Sequence, residues 1–255
     1  MPAPLYVVYR SVPSLDAAAI AKRLGGGATV TGGGTSVAIT HAGQALRAVA
    51  VDKPVAAAEM ERCLAVAHLK PEMKAELAAH KAHVALVHEQ DFPGMAGVIA
   101  LYQAAGALGG EIVGVINPIS AMCLTAPILA QTLAPDFVAA ARARPASTLG
   151  LWLGFVKLFK PDGSTWVVST GAPLIHLPNI ATLAATKQDV DGAYDLLVAI
   201  LNYLAEGFGN GKKMILPGDT IDFGDAPLVA RAPYEYIEQM GERTLVLERR
   251  PPPKA

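Results

Sequence analysis

Three histidines and a carboxylate crowd one short stretch of this chain: His80, His83 and His88, followed at once by Asp91. Imidazole and carboxylate are common zinc ligands and the usual groups of general acid–base chemistry. The spacing argues against a metal. His83 and His88 are separated by an odd number of positions, so along one regular strand they point to opposite faces. His80 and His83 share a face only if the preceding helix runs on through them. No HExxH helix and no cysteine pair joins them. Neither metal nor cofactor is expected, and these histidines read as polar punctuation at the two ends of a buried strand. His41 falls in a hairpin turn and His176 in a loop.

Asn117 and Pro118 come directly after a strand. Ligands of open α/β sheets gather at such strand ends, and backbone N–H groups there can hold an anion. The simpler role is a cap at Asn117 with Pro118 opening a helix. Thr170 and His176 lie near the end of a later strand. The candidates for a polar pocket are therefore His80, His83, His88, Asp91, Asn117, Thr170 and His176. Catalytic roles cannot be assigned to them: there is no GxSxG elbow, and neither Cys63 nor Cys123 has a partner nearby in sequence. Both cysteines read as small core hydrophobes of a reducing compartment. The glycine triplets 25–27 and 32–34 match neither phosphate-loop pattern and read as turns. Trp152 and Trp166 read as core residues.

The elements that would position these residues can be traced along the chain. Leu5–Tyr9 is β-prone. Ser14 can cap a helix over 17–24, with Asp16 in its first turn and Gly25, Gly26 and Gly27 ending it. Residues 35–40 and 44–51 read as strands around a turn at His41–Gly43. Residues 56–68 are helical, a second helix starts at Pro71, and Val84–Val87 is a buried strand. Pro93 suits the first turn of a helix over 93–108, Ile112–Ile116 is a strand, and helical turns split by Pro127 come next. Pro161, Asp162 and Gly163 mark a hairpin between 149–159 and 165–169. A long amphipathic helix spans 189–207, burying Leu196, Leu197, Ile200, Leu201 and Leu204, with Gly207, Gly209 and Gly211 at its exit. Short strands are expected at 213–216, 219–223 and 244–248.

This order predicts an α+β fold: antiparallel or mixed sheets with helices on one face, arranged as two tandem ferredoxin-like (βαββαβ) halves. The expected organisation is one compact domain over 1–250, with halves at about 1–90 and 110–250 joined by the helix 93–108. Residues 251–255 read as a disordered tail. From Phe92 to Pro135 only Glu111 is charged, which predicts a dry interior. A membrane span there is disfavoured, because Asn117, Pro118 and Pro127 interrupt it and no Lys or Arg flanks its start.

Composition sets further bounds. With 255 residues, 52% of them hydrophobic and 17% charged, the chain can bury a core without disulfides or metals. A net charge of −1 with both signs interspersed excludes the basic stripe of a nucleic-acid binder. The first residues lack the pattern of a signal peptide, so a cytoplasmic location is expected.

Some segments look familiar. Ala79, His80, Lys81, Ala82 and His83 leading into an apolar strand, the run Val115–Leu129, the run Ser169–Pro178, and Gly218, Asp219, Thr220 and Ile221 together resemble the bacterial domain of unknown function 4261 family, over roughly residues 50–248. This chain departs from the family where it reads Pro178, Asn179 in place of a Pro-Glu pair. The resemblance implies a cytoplasmic bacterial protein, with some members in toxin–immunity neighbourhoods, and carries no catalytic residue. Joined with the missing catalytic constellation, it leads to a non-catalytic protein that binds another protein, as an immunity or scaffold protein would. In that reading the exposed strand edges and the 149–170 hairpin present the surface. The alternatives are a small-molecule-binding protein or hydrolytic enzyme with a pocket near Asn117, Thr170 and His176, or self-association through the hairpin. The oligomeric state is open.

Overall fold

The computed structural model describes residues 4–89, 94–208, 214–223, 227–241 and 243–249. The chain divides into two compact units, Met1–Pro145 and Ala146–Ala255. Both combine helices with a sheet, so the α+β class is as expected. The boundary near Pro145 replaces the expected halves at 1–90 and 110–250.

In the first unit, β1 (Leu5–Tyr9), β2 (Thr29–Gly33), β3 (Ser36–His41), β4 (Gln44–Val51), β5 (Ala82–His88), β6 (Ile112–Asn117) and β7 (Met122–Thr125) form one sheet, ordered β2-β3-β4-β5-β1-β6-β7. Every pairing in it is antiparallel. A ferredoxin-like half is also antiparallel, but its first strand lies between the fourth and the third. Here β4 pairs with β5 and leaves no place for β1 between them, so the order along the chain suggested a ferredoxin-like half that the pairing does not make. β1 is the reason: it lies between β5 and β6 and opposes both.

Because side chains alternate across a strand, β1 serves two faces, and helices cover both rather than one. Tyr6 and Val8 pack with α2 (Ala57–Val66) and α3 (Pro71–Ala78) through Met60, Cys63 and Leu77. On the other face Tyr9 reaches the end of α4 (Gly94–Ala107), its hydroxyl donating to the Gly109 carbonyl at 3.2 Å. α4 is apolar on all sides and buried over most of its length, as a helix without a polar face must be. The expected dry interior holds over 97–109 and 112–126, where no residue is exposed, whereas Ala96, Gly110, Glu111, Pro127, Ala130, Gln131 and Pro135 are exposed. The last carbonyls of α4, at Ala107 and Leu108, accept from Arg23 Nη1 at 3.0 and 3.2 Å. That guanidinium sits where the negative end of the helix dipole favours it. Arg23 ends α1 (Ala17–Leu24), whose cap is Asp16 rather than Ser14: its carboxylate accepts from the Ala19 N–H.

The helical turns expected after Ile116 are instead a tight turn at 118–121 into β7. Pro127 then opens α5 (Ala126–Gln131), where its missing N–H is harmless. α6 (Pro135–Ala143) completes this unit. Pro93 and Asp91 lie outside the described residues.

In the second unit, β8 (Gly154–Phe159), β9 (Thr165–Thr170), β10 (Asn179–Ala184), β11 (Thr220–Ile221), β12 (Leu228–Arg231) and β13 (Thr244–Arg249) make a mixed sheet ordered β11-β12-β13-β10-β9-β8. β10 and β13 are parallel and the rest antiparallel. The β8–β9 hairpin turns through 160–164, where Asp162 Oδ1 accepts from both the Ser164 N–H and its hydroxyl. Its first strand starts at Gly154, because Pro145–Leu151 is a 3-10 helix. α7 (Val190–Phe208) buries Leu197, Ile200, Leu201 and Leu204, with Leu196 half-buried. Trp166, Val168, Ala181, Ile237 and Val246 form the core on one side of the sheet. Both tryptophans are buried, each with a hydrogen-bond partner for its indole N–H: Thr148 for Trp152 and Glu235 for Trp166. The strand expected at 213–216 is irregular backbone over Met214–Leu216, and Lys213 lies outside the described residues, as do Gly209, Gly211 and the tail 251–255. Among the described residues no helix is long and apolar enough to cross a membrane.

Candidate functional site

The candidate histidines occupy different surroundings, and each is tied to the fold. His80 precedes β5 and is buried. Its Nδ1–H donates to the Leu77 carbonyl at 2.7 Å, and its Nε2 accepts from the Val55 N–H at 2.8 Å. The ring therefore joins the end of α3 to the chain entering α2 as a neutral tautomer, and burial lowers its pKa. His83 donates from Nδ1 to the Lys53 carbonyl at 2.7 Å and stands edge-on to Tyr6, ring centres 5.1 Å apart. His88 lies on the opposite face of β5, as the odd spacing requires. Its Nε2–H donates to Gln44 Oε1 at 2.8 Å. Among the described residues no three His, Cys, Asp or Glu side chains converge on a metal-sized space.

His88 is part of a buried polar row that sequence reasoning did not assemble. His41 is not in the turn but is the last residue of β3, buried, with Nε2–H donating to Gln103 Oε1 of α4 at 2.9 Å. Gln44 stands opposite His41 in the hairpin and reaches His88. Two histidine–glutamine pairs thus line one end of the sheet. The signal was a Gln inside an otherwise apolar helix, since such a residue needs a buried partner.

Asn117 is a turn former. Its Oδ1 accepts from the N–H groups of Ile119 and Ser120 at 3.1 and 3.2 Å, and its Nδ2 donates to the Tyr102 hydroxyl at 2.9 Å. The expected helix cap is not formed: Asn117 holds a turn that leads into a hairpin strand. The Asn117 carbonyl lies 3.8 Å from Cys63 Sγ, and the Pro118 carbonyl accepts from Arg62 at 3.0 Å. Beside them Cys63 of α2 and Cys123 of β7 share one buried cluster, where the Cys123 thiol lowers the pKa of Cys63 and Cys63 raises that of Cys123. The two thiols, unrelated in sequence, are neighbours in space.

Thr170 and His176 belong to the second unit, and the other described candidates to the first. Thr170 ends β9 and is buried. His176 adopts left-handed backbone (φ 63°) at the end of the short 3-10 helix Ala172–Ile175. It borders a cavity of about 620 Å³ with Leu177, Pro178, Met214, Leu216 and Leu245. A neighbouring cavity of about 470 Å³ shares Leu177, Pro178 and Met214 and adds Tyr203, Asp219 and Asp222. These volumes suit a small ligand.

No family model, no curated protein and no solved structure matches this chain.

Proposed function

We propose that the chain is a non-catalytic, cytoplasmic protein-binding protein, of the immunity or scaffold kind, that takes a partner strand along the open edge of β8. The observation that carries this reading is the position of β8 as the last strand of its sheet. The Lys160 N–H bonds to the Ser164 carbonyl. By the alternation of antiparallel ladders, Phe155, Lys157 and Phe159 then turn their N–H and C=O groups away from β9. An unpaired row of this kind is a template for strand addition. Phe159, 73% exposed at the end of β8, supplies an apolar anchor. Lys157 disfavours a second copy of β8 and favours a strand carrying an acidic residue. The binding reading is also supported by the structural duties of His41, His80, His83, His88 and Asn117. Membership of the family that the sequence motifs resemble is part of this proposal.

The test is a photo-crosslinking residue at Phe159 in cells that express the protein. One discrete protein adduct is expected. Lys157→Pro should abolish it, because that substitution removes an outward N–H without touching the ladder to β9. A missing adduct, or one indifferent to Lys157→Pro, defeats the proposal.

The cavities beside His176 favour a second reading, an apolar small-molecule binder. Under it, a screen of small apolar acids and esters should raise the melting temperature of the wild type and fail with Leu177→Trp, which fills both cavities.

A further inference from the structure

The chain has two cysteines in all, and the fold places them side by side. Cys63 is fully buried in α2 and Cys123 is 7% exposed in β7. Both belong to the cluster built on Val8, Met60, Leu77 and Ile116, and both are free thiols. Two small residues from separate elements meeting in this way is no requirement of packing, which alanine or valine would satisfy as well. Cys63 Sγ donates to the Asn117 carbonyl at 3.8 Å, and Ile116, the residue before Asn117, pairs with Cys123 across β6 and β7. The neighbouring Cys123 thiol and the Arg62 charge both lower the pKa of Cys63.

We propose that Cys63 and Cys123 form a peroxide-oxidisable dithiol, a modification site that closes a disulfide between α2 and β7. The Cys63 thiolate attacks one oxygen of hydrogen peroxide. An S–O bond forms, the O–O bond breaks, and the departing hydroxide leaves as water, giving a sulfenic acid at Cys63. The Cys123 sulfur then attacks Cys63 Sγ; the S–S bond forms, the S–O bond breaks, and a second water leaves with the Cys123 proton. Two thiols are oxidised by two electrons and one peroxide is reduced to two waters. Burial of both sulfurs favours an oxidant of water-like size. The bond would fasten α2 to the edge strand of the first sheet, independently of any partner at β8.

The experiment treats the native full-length protein with hydrogen peroxide, then denatures and alkylates it before mass measurement. Both thiols should disappear together, with the loss of two hydrogens and no added oxygen. The chain should stay monomeric on a non-reducing gel, the peptides carrying Cys63 and Cys123 should travel as one species, and dithiothreitol should restore both thiols. In Cys123→Ser, Cys63 should gain oxygen atoms, having no second thiol to resolve it. Persistence of both thiols in the treated wild type, oxygen addition to it, or disulfide-linked dimers would each overturn the proposal. The wild-type measurement stands even if a serine variant fails to fold.

Discussion

His80 shows how one side chain can look like chemistry and act as structure. Its ring accepts the Val55 N–H at Nε2, which only the neutral form can do. Burial lowers the folded-state pKa below the ordinary 6.5. In the interval between the two values the unfolded chain binds more protons than the folded one, so stability rises with pH there. His80 therefore contributes fully above about pH 6.5, and its contribution is lost as pH falls toward the folded-state value. In His80→Gln the amide oxygen can still accept from Val55 but does not titrate. Urea midpoints measured by circular dichroism from pH 8 to pH 5 should fall more steeply for the wild type than for this variant. Parallel profiles would show that His80 is not the titrating group. The sequence revealed three histidines but not which atoms they hold, because Val55, Lys53 and Gln44 come from other segments.

At the scale of elements, β6, β7 and α3 meet closely at Gly114 of β6. A Cβ built there would lie 2.5 Å from the Leu124 carbonyl of β7 and 2.6 Å from Leu77 Cδ2 of α3. Leu77 can rotate aside, but the carbonyl is fixed by the β6–β7 ladder. Gly114→Ala should therefore destabilise the protein by about 1–3 kcal/mol, the usual penalty of overpacking. Gly150→Ala, with nothing within 4 Å of the added carbon, should be close to neutral. Equal melting temperatures for the two variants would mean that β6 and β7 can part without penalty. β7 is also an element the sequence did not reveal. Met122–Thr125 is a short apolar run without alternation, buried over most of its length, and such runs do not distinguish strand from helix. β10 was hidden for the same reason, being buried on both faces at most positions. β3, whose pattern alternates strictly between exposed and buried, and α7, with its leucine stripe, were legible because each has one wet side. Cys63 and Cys123 could be found only once β7 was known.

For the molecule as a whole, the decisive fact is that each sheet draws all its strands from one unit. Element order alone suggested a division near residues 90–110, and the pairing of β1 shows why that division fails. β1 has β5 on one side and β6 on the other. A fragment ending near residue 90 would lose β6, expose one edge of β1, and strip Val113, Ile116 and Cys123 from the cluster around Val8. It would also lose α4, the helix that covers the opposite face through Tyr102 and Gln103. A fragment of residues 1–145 keeps the whole seven-stranded sheet and helices on both of its faces, with a length ordinary for a domain. The expected result is cooperative thermal unfolding for 1–145 and none for 1–90, followed by far-ultraviolet circular dichroism. If the shorter fragment melted as sharply as the longer one, β1 would not depend on β6, and the boundary at Pro145 would not mark a folding unit.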